Sequence, residues 1–199
     1  MEGGICLNEW LWRNGYLAFK QDPPPGAIVP LEKLEIDWSR TRAWGSGGYY
    51  GRVFLNVQGR EPQGIITPEA YEAERDELAR KLAAIPDQHG GDIGTRCYKP
   101  QDIYTQVNGI APDLIVYFGN LLWRSVGTLG YGAVHTFSND TGPDDCNHAQ
   151  NGMFILHDPR RRDGGRELRG AQIMDIAPTV LNLFDVPVPP DMQGKTLLR

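Results

Sequence analysis

The chain has 199 residues, with 20 Lys and Arg against 25 Asp and Glu, a formal net charge of −5 and a pI near 5.4. At 40% hydrophobic and 23% charged residues it is neither intrinsically disordered nor supercharged, and its length suits one domain spanning 1–199 with a core of its own. No apolar run approaches the ~20 residues of a membrane helix, and the acidic balance excludes a polyanion binder that uses its whole surface.

The 24 glycines and 15 prolines imply many loops and turns rather than a helical bundle. Cys6, Cys97 and Cys146 are widely spaced and contain no C-x-x-C pair, so neither a zinc knuckle nor a thioredoxin-type motif is present. The first residues lack the basic and apolar regions of a signal peptide, and the expectation is three reduced thiols in a cytoplasmic protein.

A helix is expected from Asn8 to Asn14, with Asn8 as N-cap and Gly15 in the left-handed conformation beyond its end. A short strand over Tyr16–Phe19 follows. Pro23-Pro24-Pro25-Gly26 then opens a loop-rich excursion over 22–50, which closes on Gly45, Gly47 and Gly48 among aromatic residues. Val53, Leu55 and Val57 alternate, so Arg52–Val57 reads as a strand.

The clearest helix begins at Thr67, a good N-cap, with Pro68 at the first helical position. Tyr71, Leu78, Leu82 and Ile85 share one face, Asp76/Arg80 and Glu77/Lys81 are spaced as i,i+4 ion pairs, and Pro86 ends the helix. Leu114–Phe118 is a continuous apolar run suited to a strand buried on both faces, and Gly152–Leu156 repeats the pattern. A last helix is expected over Asp175–Phe184, with Asp175 as N-cap, a buried stripe of Ile176, Val180, Leu183 and Phe184, and Pro187 as its stop. Doubly buried strands alternating with amphipathic helices predict an α/β fold.

The loop over 127–149 is long and carries Leu129, Tyr131, Val134 and Phe137, a composition poorly suited to disorder. It ends in Asn139-Asp140-Thr141-Gly142-Pro143-Asp144-Asp145-Cys146-Asn147-His148, a concentration of oxygen and imidazole donors of the kind a divalent metal needs. The bland alternative makes Asp140, Asp144 and Asp145 turn formers and His148 a strand-end side chain. Cys146 is either a soft-metal ligand or a small buried hydrophobe. His135 and His157 read as structural, His89 lies in an exposed turn, and Arg160-Arg161-Arg162 reads as a solvated turn. No P-loop, dinucleotide-binding glycine motif or G-x-S-x-G elbow occurs.

Four stretches together resemble one family. Gly51-Arg-Val-Phe-Leu-Asn-Val-Gln-Gly-Arg-Glu-Pro-Gln-Gly64 is similar to a strand and turn of the type I phosphodiesterase/nucleotide pyrophosphatase group of the alkaline phosphatase superfamily. Asn147-His-Ala-Gln-Asn-Gly-Met-Phe-Ile155 resembles its late metal-binding segment. Asp175–Phe184 with Val188–Gly194 looks like its closing helix and tail, and Met1–Trp10 resembles the stretch that follows its Ser-Asp-His-Gly segment.

The resemblance implies a mainly parallel sheet flanked by helices, with long loops. It implies a divalent cofactor, zinc first and manganese second, and a phosphorylated small molecule or nucleotide as substrate. His148 is the one residue carried over as a metal ligand, with Asp144, Asp145 and Asn147 as site-lining candidates. The nucleophile and the Ser-Asp-His-Gly segment of the family have no counterpart here, so the catalytic residues stay unassigned. The chain thus looks like the C-terminal portion of such a catalytic domain, inactive alone and, with strand edges uncovered, prone to self-association. A non-catalytic binding or assembly domain on the same scaffold and a phosphomutase relative stay open as alternatives.

Overall fold

The structure, a computed structural model, describes residues 1–24, 26–138, 146–157, 159, 165 and 167–198. They divide between two units, Met1–Gly152 and Met153–Arg199.

In the first unit, Gly3–Cys6 (β1) is the middle strand of a three-stranded mixed sheet. It pairs in parallel with Trp123–Val126 (β6) and antiparallel with His135–Thr136 (β7). Glycine is required at its start: a Cβ on Gly3 would lie 2.7 Å from the Trp123 indole, so the bare backbone is what admits that ring. Helix α1, Leu7–Arg13, continues directly from β1 and buries Leu7 and Leu11. Gly15 takes φ 74° just beyond it, as the sequence predicts. Asn8 is not the N-cap. It lies inside the helix, donates to the carbonyls of Gly45 and Gly127 at 2.8 and 2.7 Å, and accepts the Gly45 N–H.

The second sheet has four strands in the order β2-β3-β5-β4: Ala43–Ser46 (β2), Gly51–Leu55 (β3), Arg96–Tyr98 (β4) and Leu114–Tyr117 (β5). Every neighbouring pair in it is antiparallel. Helix α2, Tyr71–Ala83, contributes Leu78 and Leu82 to a core shared with Val53, Leu114, Val116 and Phe118. A one-turn helix, Pro100–Ile103 (α3), follows β4.

The fold is therefore α/β with one mixed and one antiparallel sheet, and the expectation that Leu114–Phe118 lies in a parallel sheet is corrected. Its apolar run reports covering on both faces, by the core on one side and by aromatic residues on the other, and covering carries no information about strand direction. The Tyr16–Phe19 segment is buried but forms only an isolated bridge, Phe19 to Ile36. The 127–149 loop supplies β7 and the buried Leu129; its residues 139–145 lie outside the described residues.

Gly152–Leu156 is not a strand. Met153 and Ile155 are 88% and 83% exposed, and no described strand pairs with the segment. Apolar composition permits a strand, but a hydrogen-bonded partner makes one.

In the second unit a 3-10 turn, Ile173–Asp175, leads into α4, Ile176–Leu183. Asp175 stands at the N-cap position of α4 and Phe184 at its C-cap, as the sequence predicts, but the Asp175 side chain makes no capping bond to the helix. Its carboxylate reaches back to the Gln172 N–H at 2.9 Å and across to the Lys195 N–H at 2.9 Å. The Thr179 hydroxyl donates to the Asp175 carbonyl and accepts the Leu197 N–H. Two side chains thus tie the tail to the helix. Val180 and Phe184, expected in a buried stripe, are exposed.

Candidate functional site

Three segments of the first unit converge on His148. The 3-10 turn Phe118–Leu121 links β5 to β6, with Gly119, Asn120 and Leu121 all at positive φ. Its Leu121 carbonyl accepts the Asn147 carboxamide at 2.8 Å. The same carboxamide donates to the Tyr49 carbonyl, in the β2–β3 connection, at 3.2 Å. The Asn147 oxygen in turn accepts the His148 N–H at 2.9 Å. Asn147 thereby acts as a bracket that fixes the backbone of its neighbour.

The imidazole of His148 packs against the Tyr49 ring, with centroids 3.9 Å apart and planes at 61°. His148 is exposed, and among the described residues neither ring nitrogen has a protein hydrogen bond. An imidazole with a buttressed backbone and open nitrogens can donate to a metal or an anion. Asp144 and Asp145 lie outside the described residues.

Zinc in a catalytic site takes three protein ligands and an open position. Among the described residues no group of three His, Cys, Asp or Glu side chains comes together in that way. The donors described here, a single imidazole, do not compose a metal centre by themselves, and no catalytic step is derived through one.

Of the remaining candidates, His135 and Cys97 are packed into the first unit. His135 Nε2 lies 2.7 Å from the Pro86 carbonyl, with its ring against Trp123. His89 is exposed and its N–H is bound by Asp87. Cys97 is half-buried, and desolvation pushes its thiol up to about 12. Cys146 is exposed two residues from His148. The Arg160–Arg162 run holds no described residue.

Several features were not found by sequence reasoning. Arg124 is buried in β6, donates to the Ser138 carbonyl, and borders a cavity of about 170 Å³ with Glu2, Thr136 and Phe137. A wider groove of about 780 Å³ runs between Trp38 and Trp44 on one side and Gly47, Gly127 and Thr128 on the other. His148 lines neither. Four phenols also gather at the end of β5: Tyr117 sits beside Tyr50 and Tyr98, and burial first, then the neighbouring Tyr104, Tyr50 and Tyr98, hold its hydroxyl above the usual phenol value. Only Tyr50 of the four lies in the stretch 42–51 whose glycines and aromatic residues stand out in sequence; Tyr98, Tyr104 and Tyr117 join it through the fold.

Compared with models of protein families, with curated proteins and with solved structures, the chain matches none.

Proposed function

We propose that this chain is the C-terminal portion of a metal-dependent phosphoester hydrolase of the phosphodiesterase/nucleotide pyrophosphatase type, and that it is an incomplete catalyst on its own. The observation that carries the reading is His148: an exposed imidazole with open nitrogens, its backbone bracketed by Asn147 and its ring braced by Tyr49. A turn-forming histidine needs no such bracing. The parallel pairing of β1 with β6 supports an alkaline-phosphatase-like sheet, to which the missing strands would add.

Zinc, or manganese in its place, is the cofactor the resemblance implies, with His148 as one donor and the others supplied from outside the described residues. Asp144, Asp145 and Asn147 belong to its surroundings, Asn147 by positioning its neighbour. The substrate class is a phosphorylated small molecule or a nucleotide. Exposed Met153, Ile155, Ile173 and Phe184 favour self-association of the isolated chain, because apolar surface of this kind is ordinarily covered.

The test is a nitrophenyl phosphodiester assay with added zinc or manganese, on the 199-residue chain and on the same chain extended by its upstream coding sequence. The expected result is no metal-dependent turnover by the chain alone, and turnover by the extended protein that His148→Ala abolishes. Turnover by the chain alone that vanishes in the variant would show a complete site. Turnover by the extended protein that ignores the variant would remove His148 from the chemistry.

A further inference from the structure

The two faces of the four-stranded antiparallel sheet differ sharply in what they carry. Side chains alternate along a strand, and residues paired across an antiparallel ladder share a face. Ala43, Val53, Leu55, Leu114 and Val116 point to one side and are buried in the core. The registers Ser46–Arg52, Arg52–Ile115, Arg96–Tyr117 and Tyr98–Ile115 place the opposite set on the other face. Tyr50 joins it two residues before Arg52, and Trp44 and Phe54, paired across β2 and β3, stack there at 5.6 Å. Trp38 meets Trp44 edge to face at 5.0 Å and continues this aromatic surface into the 780 Å³ groove.

The charges on this face set it apart. Arg42, Arg60 and Arg75 elsewhere in the unit each have a carboxylate partner, Glu74, Asp113 and Glu72 respectively. Arg52 and Arg96 are exposed and have none among the described residues; there Arg52 is held by a bond to the Ser46 hydroxyl at 2.8 Å. The outer face thus presents half-exposed rings flanked by two guanidinium groups with unspent charge, in a protein whose net charge is −5. Rings that stack with bases, alongside cations that meet phosphates, are the chemistry of single-strand recognition on a sheet.

We propose that the outer face of the β2-β3-β5-β4 sheet binds a short single-stranded nucleic acid, with bases stacking on Tyr50, Tyr98 and Tyr117 and phosphates meeting Arg52 and Arg96. Four strands about 4.8 Å apart span roughly 14 Å, enough for two or three stacked bases. Duplex does not fit, because its bases are already stacked on one another. The acidic remainder of the surface restricts binding to this face and makes it weak and salt-dependent. The proposal stands whether or not His148 ligates a metal.

The experiment titrates a fluorescein-labelled ten-nucleotide oligothymidylate with the full chain by fluorescence anisotropy, in a chelator that silences any metal-dependent chemistry. Binding is expected at low salt, with a slope of log affinity on log salt near −1.4 for two phosphates on a single strand. The Arg52→Ala/Arg96→Ala pair should bring that slope close to zero, and Tyr50→Ala should weaken binding by about fivefold or more. All three side chains are exposed, so unchanged circular dichroism melts show that the variants fold. No binding, equal binding by the variants, equal or tighter binding of the same sequence as duplex, or displacement by a neutral oligosaccharide would each overturn the proposal.

Discussion

His148 leans on Tyr49 edge to face, 3.9 Å between ring centroids, although neither residue is buried. A surface side chain held this way contributes little to the global fold and much to local order. His148→Ala is therefore expected to change unfolding free energy by less than about 0.5 kcal/mol. Asn147→Ala, which releases two backbone carbonyls, should speed proteolytic nicking of residues 146–152 with a similarly small global effect. Chemical denaturation and limited proteolysis read the two quantities separately. A loss of several kcal/mol in His148→Ala would mark the residue as structural.

A clear loss of stability is expected at Asp113. Its buried carboxylate receives both Arg60 Nη atoms at 2.7 Å, the Leu55 N–H at 2.6 Å and the Tyr71 hydroxyl, joining β3, the 60–61 turn, α2 and the entry to β5. Removing it leaves the buried Leu55 N–H without an acceptor and the Arg60 guanidinium with only Glu61 and the Leu55 carbonyl. Asp113→Ala should cost about 2–3 kcal/mol in urea or guanidinium unfolding, chiefly because the buried Leu55 N–H loses its acceptor, while Arg60, 44% exposed, is partly hydrated. A cost under 1 kcal/mol would mean that water replaces the carboxylate freely.

Thiol reactivity should separate the cysteines. Burial that pushes Cys97 up to about 12 leaves almost no thiolate at pH 8, whereas Cys146 is exposed. Mass spectrometry after brief iodoacetamide treatment of the native chain is expected to find the label at Cys146 first, with Cys97 labelled only on unfolding. Early label at Cys97 would show that the contact between β4 and α2 opens readily.

Acid should loosen the tail of the second unit. The N–H groups of Lys195 and Gln172 hold the Asp175 carboxyl below its ordinary value of 3.8. The depressed folded-state value means that the carboxylate stabilises the fold fully above the unfolded value, near pH 4, and loses that contribution as pH falls through the folded one. Protection of the Lys195 and Leu197 amides, measured against their intrinsic exchange rates at each pH, should fall below about pH 4, and in Asp175→Asn it should be low at neutral pH already. Equal protection in the variant would count against the carboxylate as the tie.

The elements that could be read from sequence share one property: their stabilising pattern is local. The Leu78 and Leu82 stripe, the left-handed Gly15 and the apolar Leu114–Tyr117 run each carry their signal within a few residues. Strands β1 and β6 did not, because Gly3-Gly4 and Arg124-Ser125 have little intrinsic strand character and become strands by pairing with each other across more than a hundred residues. Gly152–Leu156 failed in the opposite sense, having composition without a partner. At the candidate site His148 was visible through its neighbours in sequence. Tyr49 and Leu121, which brace it with Asn147, were not, since only the fold brings residues 49, 121 and 147 together.

The central position of β1 has a consequence for biosynthesis. Residues 3–6 leave the ribosome well before both of their strand partners, 123–126 and 135–136, which are made more than a hundred residues later. At ~5–20 residues per second the first strand waits on the order of ten seconds without a mate. During that interval Ile5, Leu7 and Leu11, all destined for the core, are available to other chains. Strong dependence of soluble yield on growth temperature and on chaperone supply is built into this order of assembly.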